Sequence, residues 1–291
     1  MKKIIDYVKL IRPQHYIKNI LIILPVFFAG GIFDMVNIKH ILGGLISFSL
    51  IASVVYIIND IQDMELDKQH EIKRHRPLPS GEVKRVEAIG LAVVLLIGSE
   101  VIQYFNLRGL LDSANIILIT YLLLNVAYSS GLKNRPIIDV ILLASGFVLR
   151  VLYGAAICKV EVSSWFCLTV MMFSLYMGLG KRRNELRKNQ NIEGVTRKVL
   201  QFYSDEFLSR NMLMCMTLGL VFYSYWSAIV SIKSEWMVWT VPIVIAILMK
   251  YELNIDKDGF GDPVDVLLSD RNLILLVLLY GIVIFLLLYF A

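Results

Sequence analysis

The chain alternates long apolar runs with short charged segments, and the apolar runs determine its predicted architecture. Nine runs approach the roughly 20 residues that an α-helix needs to cross a hydrocarbon core about 30 Å thick. The predicted spans are Ile17–Phe33, Ile41–Ile58, Val86–Phe105, Ala114–Ser130, Ile137–Ile157, Trp165–Gly180, Met212–Ser231, Trp236–Met249 and Leu273–Phe290. The eighth is short and contains Pro242, so losing it would change the topology. The pattern predicts an all-α, integral membrane bundle of nine transmembrane helices.

Composition supports a membrane protein over a soluble one. Hydrophobic residues make up 57% of the chain and charged residues 18%, whereas soluble domains are about half apolar and about a quarter charged. No internal repeat, low-complexity linker or soluble second domain is evident in the sequence. We therefore expect residues 1–291 to form a single transmembrane domain.

The basic residues predict the orientation of the chain. If the nine spans alternate from a cytoplasmic N-terminus, the four outer connections hold one basic residue each, namely Lys39, Arg108, Lys159 and Lys233. Arg150 falls inside the fifth span, and the other 24 of the 29 Lys and Arg residues lie on the inner side. Short cytoplasmic loops attract Lys and Arg, so the sequence predicts a multi-pass protein of the cell (inner) membrane. The net charge of +5 follows from this bias and requires no nucleic acid partner, while anionic membrane lipids would favour the basic loops.

Most acidic residues also fall on the predicted inner loops, although no insertion rule requires it. Charges of both signs therefore meet at one membrane face. This arrangement predicts an active-site cavity that opens to the cytoplasmic face and handles a charged reactant.

The strongest chemical signal is an acidic stripe at the end of the second span. Asp60, Asp63 and Asp67 are spaced so that they share a helix face, with Asn59 on its flank. Like charges at this spacing repel, and a divalent cation relieves the repulsion. Carboxylate and phosphate oxygens are the usual ligands of Mg²⁺. The alternative is a solvated helix end that pairs with neighbouring lysines.

A cationic loop follows directly and contains Lys73, Arg74 and Arg76. Two prolines and Gly81 make it a shaped loop rather than a continued helix. Alone, such a run would be a topology signal, but beside an acidic stripe it suits a metal–diphosphate, whose outer oxygens Lys and Arg neutralise.

A second constellation comprises Tyr128, Lys133, Asp139 and Arg150. Eleven helical steps return to within about 20° of the starting direction and descend about 16 Å, so Arg150 should lie near mid-membrane on the face of Asp139. Arginine at that depth is costly and should face the bundle interior with an anionic partner. That partner is either a carboxylate on another helix or a substrate phosphate, and we favour the phosphate.

Two weaker clusters lie at the same predicted face. Lys181 and Arg182 end the sixth span, and Asp262, Asp265 and Asp270 belong to the last inner loop. No histidine pair has metal-ligand spacing, so the chemistry should work without a histidine base.

These motifs resemble a known family. Asn-Asp-x-x-Asp-x-x-x-Asp at residues 59–67, with Lys73 and Arg76-Pro77 following, looks like the first signature of the UbiA superfamily of membrane prenyltransferases. Further motifs resemble its decaprenyl-phosphate phosphoribosyltransferase branch: Arg12-Pro13 with Lys18-Asn19, Tyr128-Ser129 with Lys133, Asp139 and Arg150, Gly180 to Leu186, and Pro263 to Arg271.

Two departures accompany the resemblance. This chain has His15-Tyr16 where the branch usually has Gln-Trp. The wider superfamily has a second paired-Asp motif, whereas here Leu143 stands four positions after Asp139. The second departure argues for the phosphoribosyl branch.

The resemblance implies transfer of 5-phosphoribose from phosphoribosyl diphosphate to a polyprenyl phosphate, with Mg²⁺, in cell wall biosynthesis. The implied metal residues are Asn59, Asp60, Asp63 and Asp67, and Asp139 joins the three stripe aspartates as catalytic. The implied substrate-binding residues are Lys18, Asn19, Lys73, Arg74, Arg76, Tyr128, Lys133, Arg150, Lys181 and Arg182.

Other functions fit part of this pattern. The first alternative is a UbiA-type prenyltransferase that moves an isoprenyl group from its diphosphate to an aromatic acceptor. A transporter is disfavoured because only Arg150 lies clearly mid-span and no internal repeat is evident. The Asp-Gly…Ala-Arg…Asp…Asp pattern of CDP-alcohol phosphotransferases is absent from the sequence.

Overall fold

The computed structural model describes residues 2–69, 73–107, 112–189, 198–232, 234–258 and 263–290. Within these ranges every regular element is helical and no strand occurs. Six of the described helical segments are long and apolar enough to cross a membrane. They are Met35–Lys68, Arg85–Asn106, Ile138–Cys158, Asp205–Val230, Glu235–Asp256 and Arg271–Tyr289. The chain is thus an all-helical, multi-pass membrane protein.

Twelve α-helices can be numbered along the described residues. They are α1 (Lys2–Ile11), α2 (Leu24–Phe28), α3 (Met35–Lys68), α4 (Arg85–Leu107), α5 (Ser113–Ser129), α6 (Ile138–Cys158), α7 (Ser164–Asn189), α8 (Asp205–Tyr225), α9 (Ser234–Met237), α10 (Val241–Asp258), α11 (Pro263–Ser269) and α12 (Arg271–Tyr289). Short 3₁₀ segments connect several of them, and a π-helical turn at Trp226–Val230 extends α8.

The first predicted span differs from the structure. Instead of one α-helix over Ile17–Phe33, the chain forms a 3₁₀ helix at Pro13–Ile22 and then the five-residue α2. A proline lies near the start of each piece, and proline lacks the N–H that a continuous helix would use. Seven of the other eight predicted spans coincide with a helix, although α5 is short and α7 is not among the six membrane-length candidates. The eighth predicted span, Trp236–Met249, is divided among α9, a 3₁₀ turn at Val238–Thr240 and α10.

The described chain divides into two compact units. The first comprises Met1–Val26, Ile32–Leu142 and Leu149–Val160, and the second Phe27–Gly31, Leu143–Val148 and Glu161–Ala291. Each unit is described separately below.

In the first unit, α3 packs closely against α4 along a polar seam. The hydroxyls of Ser47 and Ser99 lie 2.8 Å apart, and both residues are fully buried. A Cβ added at Gly43 would come within 2.7 Å of the Asn106 side chain. Small side chains and paired hydroxyls at such a contact are typical of membrane helices, which associate without a hydrophobic driving force.

In the second unit, α7 packs extensively against α8. A Cβ added at Gly219 of α8 would lie 2.4 Å from the ring of Phe173 on α7, so a larger residue there would push the helices apart. Aromatic side chains pack beside them, with the rings of Phe28 and Trp226 4.8 Å apart at their centroids.

Candidate active site

Asp60 and Asp67 lie on one face of α3, near its end, and both accept hydrogen bonds from Arg76. Nη1 of Arg76 is 2.7 Å from Oδ2 of Asp67 and 3.3 Å from Oδ1 of Asp60. Seven helical residues turn through about 700°, so the two carboxylates point within about 20° of each other. They are 1% and 4% exposed. Two almost fully buried carboxylates therefore converge on one guanidinium.

Two further cations lie beside this pair. Arg12 donates from Nη2 to Asp60, and Nζ of Lys73 lies 3.9 Å from Oδ1 of Asp67. Arg12 has a φ of 57°, which is uncommon for a residue other than glycine and persists only where the surroundings hold it. Its guanidinium also lies 5.4 Å from the ring centroid of Tyr56. The strained Arg12 thus places its charge against the acidic face of α3.

Asp63, the middle aspartate of the stripe, has a different partner. Lys133, in the 3₁₀ turn Leu132–Asn134, donates from Nζ to Oδ1 of Asp63. One turn earlier on α3, Oδ1 of Asn59 accepts from the hydroxyl of Ser129 at 3.2 Å. These contacts tie α3 to the end of α5 and turn Asp63 toward a separate cation.

The arrangement fits a magnesium–diphosphate better than a metal cage built by the protein alone. No group of three or more His, Cys, Asp or Glu side chains among the described residues is placed to hold a metal. Mg²⁺, however, is usually bound through one or two carboxylates together with waters and substrate phosphates. Asp60 and Asp67 supply such a pair, and the cations Arg12, Arg76 and Lys73 beside them suit the phosphates.

Arg150 occupies a buried polar pocket in the first unit. Its Nε donates to Oδ1 of Asn19 at 2.8 Å, and its Nη2 donates to the hydroxyl of Tyr121 at 3.1 Å. The guanidinium also lies 4.9 Å from the ring centroids of both Phe48 and Tyr121. Asn19 in turn donates to the hydroxyl of Ser49 at 2.9 Å. An amide, a hydroxyl and two aromatic faces are therefore among the groups that contact this charge.

The other predicted residues of the first unit are distributed around these clusters. Asp139 is fully buried in the first turn of α6, after Ile137, whose φ is 69°. Tyr128, in the last turn of α5, and Lys18, in the 3₁₀ segment, are half-buried. Arg74 is exposed and donates to the ring of His75 at 3.3 Å.

In the second unit, Lys181 and Arg182 lie on α7. Arg182 is fully buried and donates to Glu185 at 2.8 Å, while Lys181 is half-buried. The adjacent Arg183 donates to Glu252 and Asp256 of α10, at 3.1 and 2.8 Å. The basic end of α7 is therefore fastened to α10 by ion pairs.

The last predicted loop is only partly described. Asp262 lies outside the described residues, and Asp265 lies on α11. Asp270 caps α12 by accepting from the backbone N–H of Leu273 at 2.9 Å, and Lys250 lies 2.7 Å from its other oxygen. The hydrogen bond from Lys250 and that backbone contact hold the pKa of the Asp270 carboxyl below its ordinary value.

Arg12 is a site residue that sequence reasoning missed. The sequence marked it only as part of a motif with Pro13, and its partner Asp60 lies 48 positions away. Tyr121 and Phe48 were missed for the same reason, because only the packing of α3 and α5 brings them to Arg150.

Fold and site together define a polytopic helical membrane protein in which buried carboxylates meet a cluster of cations at the end of one helix. Comparison with known families assigns it further: the UbiA prenyltransferase family model matches residues 20–259. The chain belongs to this family.

Its relatives include two enzymes named decaprenyl-phosphate phosphoribosyltransferase. The one from Corynebacterium glutamicum is 32% identical over 93% of this chain and 83% of its own length. The one from Mycobacterium tuberculosis is 32% identical over 93% of this chain and 90% of its own length. A UbiA homologue from Archaeoglobus fulgidus, solved with DMAPP and Mg²⁺, shares the fold with a TM-score of 0.72. It is 21% identical, and the match covers 97% of this chain and 96% of the homologue.

Proposed function

We propose that this protein transfers a 5-phosphoribosyl group from phosphoribosyl diphosphate to a polyprenyl phosphate and releases diphosphate. The observation that carries the proposal is the placement of Asp60 and Asp67 around Arg76, with Arg12 and Lys73 beside them. The relatives named decaprenyl-phosphate phosphoribosyltransferase, which match over 93% of the chain, support the choice of donor and acceptor.

The proposed topology has nine crossings within a single catalytic domain over residues 1–291. The N-terminus and the site lie on the cytoplasmic side of the cell membrane, because Lys and Arg are concentrated on the segments assigned to that side. Asp60 and Asp67 lie in the last three turns of α3, and the basic loop follows within a few residues. The site therefore opens where a water-soluble diphosphate is available, while the acceptor lipid enters from the membrane.

Asp60 and Asp67 would hold Mg²⁺ on the donor, with Asn59 and Asp63 on the flanks of that pair. When bound, the ion neutralises charge on the diphosphate as it leaves. Arg12, Arg76 and Lys73 bind the phosphate oxygens that the carboxylates cannot approach. Such preorganised cations stabilise a transition state because they need not reorient during the reaction.

The reaction forms one bond and breaks one. An oxygen of the polyprenyl phosphate attacks C1 of the ribose, and the bond between C1 and the diphosphate oxygen breaks with its electron pair staying on the diphosphate. The acceptor phosphate is already an anion, so no side chain has to remove a proton from it. Lys133, beside Asp63, and the buried Arg150 are the cations of the first unit assigned to substrate phosphates. Tyr128, Asp139, Lys18 and Asn19 are further residues of the first unit that we assign to the substrates. Arg74, Lys181 and Arg182 are assigned to substrate binding on the strength of the basic segments in which they lie.

The direct test uses the purified full-length chain in phospholipid nanodiscs. Phosphoribosyl diphosphate labelled in the ribose is incubated with decaprenyl phosphate and Mg²⁺, and the label in the lipid phase is measured against diphosphate released. We expect the two to appear in equal amounts and both to vanish when EDTA removes the metal. Diphosphate release without labelled lipid would contradict the proposed acceptor.

A parallel reaction separates the prenyltransferase alternative. The same preparation receives geranyl diphosphate and 4-hydroxybenzoate, and prenylated acceptor is measured by mass spectrometry. We expect no product. If the acceptor ring is prenylated and the first reaction yields no labelled lipid, the proposed phosphoribosyl transfer is contradicted and isoprenyl transfer becomes the assigned function.

A further inference from the structure

A second polar site lies at the opposite end of α3 from the aspartates. A cavity of about 550 Å³ is bounded by the first turns of α3, the last turns of α4 and α6, and Asp112 at the start of α5. Twenty residues separate His40 from Asp60 on α3, which corresponds to about 30 Å, or one hydrocarbon thickness. The cavity therefore belongs to the other membrane face and is separate from the candidate active site.

Two lysines give this cavity its charge. Lys39 and Lys159 both line it, and no described carboxylate forms an ion pair with either. In the proposed topology only four Lys or Arg residues fall on outer connections, and two of these meet at this one cavity. Because basic residues are disfavoured on that side, their convergence indicates a binding role.

The acidic residue of the cavity is already engaged. Oδ1 of Asp112 accepts from the backbone N–H of Ala114 and from the hydroxyl of Ser113, both at 3.1 Å. It caps the N-terminus of α5, where the helix dipole favours a negative charge. Asp34, near Cys158 of the lining, likewise caps α3 by accepting from the backbone N–H of Val36 at 2.9 Å. Lys39 and Lys159 are the lysines of the lining, and they favour an anion.

Polar and apolar side chains are both present in the walls. His40 and Asn106 are linked, since Nδ2 of Asn106 donates to the carbonyl of His40 at 3.0 Å. Met35, Val36 and Phe105 contribute apolar surface, and all three are exposed, the first two at the start of α3 and Phe105 near the end of α4. An anionic group flanked by such surface at the depth of the lipid head groups suits an amphipathic ligand better than a free ion.

We propose that this cavity binds the phosphate of a membrane phospholipid, with Lys39 and Lys159 as its counter-charges. The acyl chains extend along the apolar walls toward the hydrocarbon. The lipid joins α3, α4 and α6 at the face opposite the active site, and its binding is independent of the transferase reaction.

The test measures lipid binding to the delipidated full-length protein by native mass spectrometry. Phosphatidylglycerol, uncharged diacylglycerol of the same chains and inorganic phosphate are each titrated. We expect one phosphatidylglycerol to bind more tightly than diacylglycerol, and the double variant K39Q/K159Q to weaken that site at least about tenfold, since each lost charge-assisted contact is strong. The matched control K84Q/K198Q removes two exposed lysines elsewhere and should leave binding unchanged.

Each other outcome decides against part or all of the proposal. If diacylglycerol binds as tightly as phosphatidylglycerol, or if K39Q/K159Q binds phosphatidylglycerol as the unchanged protein does, the cavity does not recognise the phosphate. Displacement of phosphatidylglycerol by millimolar inorganic phosphate would assign the site to a soluble phosphate instead of a lipid. Thermal unfolding of both double variants in the absence of lipid checks that loss of binding does not reflect loss of folding.

Discussion

Arg150 of α6 donates from Nε to Oδ1 of Asn19 across 2.8 Å, although 131 positions separate the two residues. The bond joins α6, a helix of 21 residues, to the 3₁₀ helix Pro13–Ile22, which forms the first part of the region predicted as the first span. Arg150 is 5% exposed and Asn19 is 1% exposed. A buried guanidinium is stable only while its donors are satisfied, so this contact should matter for folding as well as for substrate binding.

The first prediction concerns that contact. Replacing Asn19 with Leu, which is similar in size, leaves Nε of Arg150 without its acceptor and should cost about 2 kcal/mol. We expect the Tm in detergent to fall by several degrees, as measured by intrinsic fluorescence. Asn125→Leu is the control, because Asn125 only donates to the carbonyl of Tyr121 on its own helix. If the Tm falls equally in both variants, the contact between Asn19 and Arg150 contributes no more to stability than the local hydrogen bond of Asn125.

The second prediction concerns a close approach in the same unit. A Cβ added at Gly154 would lie 2.0 Å from the carbonyl oxygen of Ile22, which is backbone and cannot rotate away. Gly154→Ala should therefore destabilise the protein by at least about 2 kcal/mol. At Gly90, on α4, nothing lies within 4 Å of such a Cβ, so Gly90→Ala should be neutral or stabilising by up to about 1 kcal/mol. Thermal unfolding of the pair is the measurement, and a tolerated Gly154→Ala would contradict the packing.

The resemblance of the sequence motifs was enough to predict the family, and helical periodicity was enough to predict the face that Asp60 and Asp67 share. Family membership is confirmed by the match over residues 20–259, and the shared face is seen in their common partner Arg76. The roles assigned to these residues in metal and substrate binding stay predictions. Asp63 lies about 60° away from Asp60 around α3, and in the fold that difference is large enough to give it Lys133 as a separate partner.

What periodicity could not predict depends on long-range packing or on local backbone strain. The run Ile17–Phe33 is apolar enough for a span, yet the proline at its N-terminal side and Pro25 divide it into a 3₁₀ helix and a short α-helix. The anionic partner expected for Arg150 was inferred from its depth and stays a prediction. In the fold, aromatic rings of α3 and α5 supply much of its surroundings, and no local pattern in the sequence marks those rings as its neighbours.

The third prediction tests the acidic face of α3. Asp67→Asn keeps the size of the side chain but removes a charge, so Mg²⁺-dependent turnover should fall by about 100-fold or more. Glu65→Gln is the matched control on the same helix, because Glu65 is exposed and pairs with Lys68 rather than with the cation cluster. Single-turnover rates at saturating Mg²⁺, with the Tm of each variant, give the comparison. Full activity of Asp67→Asn would contradict the proposal that Asp60 and Asp67 hold Mg²⁺.

The last prediction separates Lys133 from an ordinary surface ion pair. Lys133 is half-buried against Asp63, between α3 and the end of α5, whereas Lys68 is an exposed partner of Glu65 three positions away. If Lys133 binds a substrate phosphate, Lys133→Gln should raise the KM of one phosphorylated substrate about tenfold or more, because a charge-assisted contact is lost. Lys68→Gln should leave both KM values unchanged, since exposed pairs contribute about 1 kcal/mol or less even to stability. If Lys133→Gln lowers the Tm but leaves both KM values and kcat intact, Lys133 only fastens α5 to α3. If instead one KM rises, the substrate concerned identifies the phosphate that Lys133 contacts. That result separates the donor site from the lipid site along this face of α3.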